Sequence, residues 1–192
     1  MSMNPFTLIY FLGIVIEIII RAPYNRERKA EAMSERRITA QEKALLFLLM
    51  VGMFILPLVY AASSWLDFAD YARPSWAGWV GAAIVAGALL VFWRAHADLG
   101  LNWSPSLEIR QKHELITRGI YGVIRHPMYA SQWLWVVAQV LLLPNWIAGW
   151  VGLIVFIPFY LLRVRAEERM MLDTFGDQYR DYMSKVGGVI PK

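Results

Sequence analysis

Residues 119–162 read GIYGVIRHPMYASQWLWVVAQVLLLPNWIAGWVGLIVFIPFYLL. After Arg125 and His126 the stretch 127–162 runs for 36 residues without a charge. As one helix it would be about 54 Å long, well beyond a hydrocarbon core of about 30 Å. The LPNW at 143–146 places a proline and an asparagine in the middle of the run, where a helix is expected to break. The run therefore reads as a helical hairpin of two membrane spans. Both of its ends, RHP at the entrance and R-x-R-x-E-E at residues 163–168, then emerge at one face of the membrane.

The rest of the chain agrees with a membrane setting. Of 192 residues, 58% are hydrophobic and only 18% charged, with a mean hydropathy of +0.42. Nine Trp suit an interfacial belt. Residues 4–20 are apolar apart from Glu17, residues 44–66 carry no charge over 23 positions, and residues 74–93 are again uncharged. With the hairpin these make about five transmembrane helices in an all-α integral membrane protein. In the third span Gly78, Ala82, Ala83 and Gly87 are small enough to let helices approach closely. Two regions follow: residues 1–97 with three spans, and residues 98–192 with a polar loop, the hairpin 127–162 and a charged tail 163–192. No basic segment precedes the first apolar stretch, so no cleavable signal is expected.

Charge distribution orients the spans. Segments 21–43, 94–126 and 163–192 hold seven, five and six Lys or Arg, whereas the opposite side holds Arg73 alone. The positive-inside bias places these three segments in the cytoplasm and the N-terminus outside. The net charge of +4 is thereby explained by topology rather than by nucleic acid. The absence of Cys excludes disulfides, thiolate metal sites and cysteine nucleophiles. No GxGxxG, Walker loop, HExxH or GxSxG occurs, and His96, His113 and His126 are too scattered to suggest a metal site.

The polar residues at the hairpin mouth are what remain. His126 stands at an N-cap position and Pro127 at the first helical position, leaving free N–H groups at Met128 and Tyr129. Arg163 and Glu167 are four apart and share a helical face. Each group can equally be an interfacial anchor, but their convergence at one membrane face looks like a site.

GIYGVIRHPMYAS, the hairpin, and RVRAEERMMLDTFGDQYRDYMSKVGGVIP together resemble the isoprenylcysteine carboxyl methyltransferase family, within the wider group of membrane methyltransferases. The resemblance covers about residues 99–191, with Ser131 where the family often has Gly. It implies S-adenosylmethionine as cofactor, released as S-adenosylhomocysteine. The pocket would be formed by the cytoplasmic loop and tail, from His113, Glu114, Leu115, Ile116, Tyr121, His126, Pro127, Met128, Tyr129 and Glu167. Arg163 would hold the acceptor's carboxylate, making Arg163 and Glu167 the catalytic pair. The implied reaction is carboxyl O-methylation of an isoprenylcysteine-like, lipid-tailed acceptor at the cytoplasmic face, in a prokaryotic cell membrane, with no metal and no nucleic acid. N-methylation of a lipid amine, a non-catalytic membrane scaffold and, more distantly, a nicotinamide-dependent lipid reductase stay open as alternatives.

Overall fold

The computed structural model describes residues 4–28, 33–36, 40–100, 108–110 and 115–192. Helix α1 spans Pro5–Arg28 and is capped at its start by Asn4, whose Oδ1 accepts the Phe6 N–H at 3.0 Å. Next come α2 (Ala40–Met50), a π-helical turn (Val51–Ile55) and α3 (Leu56–Ala62), stacked end to end. Helix α4 spans Ser75–Leu99, α5 Pro127–Leu142, α6 Val151–Phe175 and α7 Asp177–Lys185. Among the described residues, three helical stretches, Pro5–Tyr24, Ala40–Ala62 and Ser75–Leu99, are long and apolar enough to cross a membrane. The fold is almost wholly helical. Its exception is a short antiparallel ribbon in which β1 (Met33–Arg36) pairs with β2 (Glu108–Arg110), joining two polar segments that the sequence alone leaves as loops.

The hairpin forms as expected, with α5 and α6 flanking a turn at 143–150. Asn145 organises that turn. Its Nδ2 donates to the Leu66 carbonyl at 2.6 Å and to Asp70 Oδ1 at 2.8 Å, while its Oδ1 accepts the N–H groups of Ile147 and Ala148. Arg73 is more than a topological marker. Its guanidinium donates to the Leu141 and Leu142 carbonyls at 2.8 and 3.0 Å, capping acceptors that the end of α5 leaves open.

Helix α4 packs against α5 and α1 through Ala77, Gly78, Gly81, Val85, Ala88 and Phe92, a face with the three-to-four-residue spacing of a helical stripe, on which Gly78 meets Phe6 of α1. At Gly81 a β-carbon would lie 3.0 Å from Leu141 and Leu142, so glycine permits the approach. Of the four small residues expected to do this, only Gly78 lies on the stripe. Ala83 is exposed and Gly87 has nothing within 4 Å, because 100° per residue turns them away.

A buried polar network ties the π-helical turn to the hairpin. Gln139 Nε2 donates to the carbonyls of Gly52 and Ala148 at 2.9 and 2.7 Å, and the Tyr10 hydroxyl donates to the Met53 carbonyl at 2.5 Å. A π turn breaks the α-helical ladder, and inside a bilayer the carbonyls it disturbs need protein donors. Gln139 is fully buried, and each such bond is worth about 1 kcal/mol in a membrane.

Gln139→Leu should therefore lower the thermal midpoint in detergent, by about 1–3 kcal/mol of stability. Gly87→Ala, which fills open space on a helix, should leave it unchanged or raise it by up to about 1 kcal/mol. Circular dichroism melts of both variants check the pair.

Candidate active site at the hairpin mouth

The hairpin's register decides which residues meet. Tyr129 lies 13 residues before the end of α5, and Arg163 lies 12 residues after the start of α6. At 1.5 Å per residue both stand about 18–20 Å from the hairpin tip. His126 and Glu168 are level with each other one turn further out. The same reasoning covers α2, which runs antiparallel to α6. Gly52 packs against the backbone of Gly152, and ten and eleven residues away Glu42 faces Arg163.

These alignments produce one connected polar cluster. Arg163 pairs through Nη1 with Glu42 Oε1, and both side chains are more than nine-tenths buried. Arg163 Nε donates to the Tyr129 hydroxyl at 3.0 Å, and that hydroxyl donates to Glu167 Oε2 at 2.7 Å. Arg163 and Glu167 thus communicate through a phenol rather than as a direct i,i+4 pair. The Phe159 ring lies 5.7 Å from the guanidinium carbon. Above this layer His126 Nε2 stands 3.0 Å from Glu168 Oε1, and Nδ1 stands 3.6 Å from Glu167 Oε1. Arg125 Nη2 donates to Glu168 Oε1 at 2.7 Å.

His126 occupies the N-cap position of α5, but its side chain makes no capping bond, because both ring nitrogens are turned to the glutamates. Burial by itself would push its imidazole pKa down. The hydrogen bonds and charges of Glu167 and Glu168 outweigh burial and raise it from 6.5 to about 9. Glu168 is held down to about 2, first by the His126 hydrogen bond and then by Arg125, against the opposing effect of partial burial. Glu167 is also lowered: burial works against this, and His126, Tyr129 and Arg163 overcome it. With His126 protonated, Glu42, Glu167 and Glu168 face Arg125, His126 and Arg163 among the described residues.

The chain's end closes over the RHP segment. The backbone N–H groups of Arg125 and His126 donate to the carbonyls of Gly187 and Gly188 at 2.8 and 3.1 Å. Arg125 Nη1 bonds the Val186 carbonyl, and the Tyr182 hydroxyl of α7 donates to the Tyr121 carbonyl at 2.5 Å. Tyr121 sits in a 3₁₀ turn, Gly119–Gly122, that Asp98 anchors by accepting the Ile120 N–H at 2.8 Å. Gly119 has φ of +60° and Asp98 Oδ2 would lie 2.2 Å from a β-carbon there, so both conformation and space require glycine.

Most of the residues singled out in the sequence are brought together. His126, Tyr129, Arg163 and Glu167 form the cluster, Pro127 is fully buried beneath it, and Met128 is half-buried. Tyr121 is buried against the tail, which leaves little of its ring to face a bound molecule. Leu115 and Ile116 are half-buried, while His113 and Glu114 lie outside the described residues. Ser131 reaches across to α4, donating to the Ala88 carbonyl at 2.9 Å. Glu42 is the member that sequence reasoning missed. It closes a basic segment that also holds Glu27, Glu31 and Glu35, so its residue type and neighbourhood give no signal.

The chain is similar to known proteins. Residues 79–173 match the family described as isoprenylcysteine carboxyl methyltransferase (ICMT). A protein-S-isoprenylcysteine O-methyltransferase of Dictyostelium discoideum is 33% identical over 119 residues, covering 59% of this chain and 48% of that protein. One from Tribolium castaneum is 28% identical over 149 residues, covering 69% and 50%. A solved structure of the eukaryotic intramembrane Ras methyltransferase ICMT aligns with a TM-score of 0.51 at 25% identity, over 78% of this chain and 50% of that one. The chain spans about half the length of these relatives.

The His126 shift has a stability consequence. A folded-state pKa raised from 6.5 to about 9 contributes stability in full below 6.5, and that contribution is lost as pH rises towards 9. The thermal midpoint in detergent should fall across this window. His126→Asn should melt lower at pH 6 and lose much of the slope between 6.5 and 9; an unchanged slope would place the titrating group elsewhere.

Proposed function

With residues 79–173 matching the isoprenylcysteine carboxyl methyltransferase family, we propose that this chain is an S-adenosylmethionine-dependent methyltransferase acting on the carboxylate of a lipid-tailed, isoprenylcysteine-like acceptor. The observation that carries the reading is a carboxylate already seated on the buried guanidinium of Arg163, supplied by Glu42. A position built to hold one carboxylate below the membrane surface suits another.

The layout supports five spans, with α2 to α3 as the second and the hairpin as the last two. The hairpin is short. The apolar part of α6, residues 151–162, rises only about 18 Å, so a tip at the far interface leaves Arg163 below the near one. A guanidinium there needs a partner, and the excess of basic residues in segments 21–43, 94–126 and 163–192 assigns the near side to the cytoplasm. A lipid-tailed acceptor then reaches Arg163 sideways between helices, and a water-soluble cofactor arrives from the cytoplasm.

The cluster fits S-adenosylmethionine. The Glu167 side chain is one-third exposed with its charge retained, which suits the cofactor's ammonium group. No side chain caps the start of α5, so the N–H groups of Met128 and Tyr129 are available to polar atoms of a ligand. Tyr129 and Tyr160, whose ring centroids are 5.6 Å apart, add aromatic surface near a sulfonium. The bound cofactor supplies an electrophilic methyl group. The protein's own task is positioning: Arg163 orients the acceptor's carboxylate, Tyr129 fixes the guanidinium plane, and the surrounding apolar helices exclude water. A carboxylate is ionised at neutral pH, so no general base is required. Joining a carboxylate to a sulfonium's methyl neutralises charge, which a low-dielectric site favours.

Purified protein with methyl-labelled S-adenosylmethionine and N-acetyl-S-farnesylcysteine should yield base-labile label. Base-stable label on phosphatidylethanolamine instead would move the assignment to amine methylation. Arg163→Gln should raise the acceptor KM by about 10- to 100-fold, the worth of a hydrogen bond to a charged group, with a much smaller effect on cofactor binding. Glu167→Gln should show the reverse pattern, weakening the cofactor more than the acceptor.

A further inference from the structure

We propose that Glu42 is a resident stand-in for the acceptor's carboxylate, one that an acceptor must displace from Arg163, so that Glu42 sets the affinity an acceptor has to reach. The inference rests on the carboxyl-methylation reading above and adds to it a residue from outside the hairpin.

Electrostatics explains why a stand-in is needed. Arg163 is more than nine-tenths buried among apolar helices, and an isolated guanidinium there is costly. Glu42 removes that cost in the resting protein. An incoming carboxylate then exchanges one anion for another, and Arg163 stays paired throughout. The Tyr129 bond to Nε belongs to the hairpin and holds the guanidinium plane while the anion on Nη1 is exchanged.

The structure also gives Glu42 somewhere to go. It is the third residue of α2, between the exposed polar side chains Gln41 and Lys43, so its carboxylate lies within one turn of the polar start of the helix. Helix α2 is held on one side, where Leu45 and Leu49 pack beside the cluster of Val136, Phe156 and Phe159, while Leu46, Phe47, Leu48 and Met50 are exposed. The π-helical turn Val51–Ile55 follows directly, and such turns are places where helix register can change. The first turns of α2 can therefore shift while the Gln139 network holds the rest.

A selectivity follows. Displacing Glu42 taxes every carboxylate by the same factor. An acceptor with a long apolar tail recovers that loss from the bilayer. A small soluble carboxylate does not, and it falls below a working affinity.

The test compares wild type with Glu42→Gln, full-length in lipid nanodiscs, using N-acetyl-S-farnesylcysteine and its shorter-tailed S-geranyl analogue. The variant should lower KM for both acceptors by a similar factor, about three- to tenfold, as a charged competitor becomes a neutral one. A KM that rises or stays the same, or a gain confined to one tail length, overturns the proposal and makes Glu42 a positioning residue for Arg163. If wild type methylates neither acceptor, the underlying reading fails instead. A second measurement does not depend on the variant. The chain has no Cys, so spin labels on Ala40→Cys and Arg165→Cys report the distance from α2 to α6 without background. That distance should lengthen with saturating N-acetyl-S-farnesylcysteine and stay fixed with its carboxamide; an unchanged distribution with the acid overturns the displacement.

Discussion

Two adjacent glutamates on the outgoing helix of the α5–α6 hairpin, Glu167 and Glu168, form the constraint around which this end of the protein is organised. Neither carboxylate can be left charged and half-buried without a cation beside it. Among the described residues, three cations meet three carboxylates. Arg125 and His126 meet Glu168, and His126 is shared with Glu167. Arg163 meets Glu42 directly and Glu167 through Tyr129. The cluster joins α2, α5 and α6, and the bonds of Arg125 to the chain's end add the tail. The charges share partners across these elements, so the site and the packing of this end of the bundle are a single electrostatic problem.

The far end of the bundle solves a different problem, with side chains that bond backbone groups directly. Asn145, Arg73 and the Gln139–Tyr10 network satisfy backbone groups that turns and a π-helical segment leave open. Lipid offers those groups no hydrogen bonds, so side chains from distant parts of the sequence must. The two ends therefore divide the work. Amides and backbone hold the hairpin's depth, and ion pairs hold its mouth. A hairpin held in this register brings Tyr129 level with Arg163.

Glu42 shows why a site in a membrane protein is easily undercounted. Motif and nearness to RHP and EE mark out the hairpin mouth, and Glu42 lies 121 positions from Arg163. Nothing local distinguishes it from the basic loop before it. The small residues of α4 teach the converse lesson. Gly87 looks like a packing residue by composition, yet helical phase points it into open space, while Gly81 carries the contact with the end of α5.

What the sequence determined by itself is the helical hairpin, its break at LPNW, the membrane class and the convergence of RHP with R-x-R-x-E-E. These are local or one-dimensional properties: uncharged length, a proline, a charge bias, and the fact that a hairpin returns to its starting face. What only the tertiary structure decided is who pairs with whom: Arg163 with Glu42 rather than Glu167, His126 with two glutamates rather than its own helix end, and Gly187 and Gly188 with the RHP backbone. Those choices depend on the relative height and rotation of helices far apart in the chain. Helix packing and the demand for paired charge in a low-dielectric setting fix these quantities together, and no single segment encodes them.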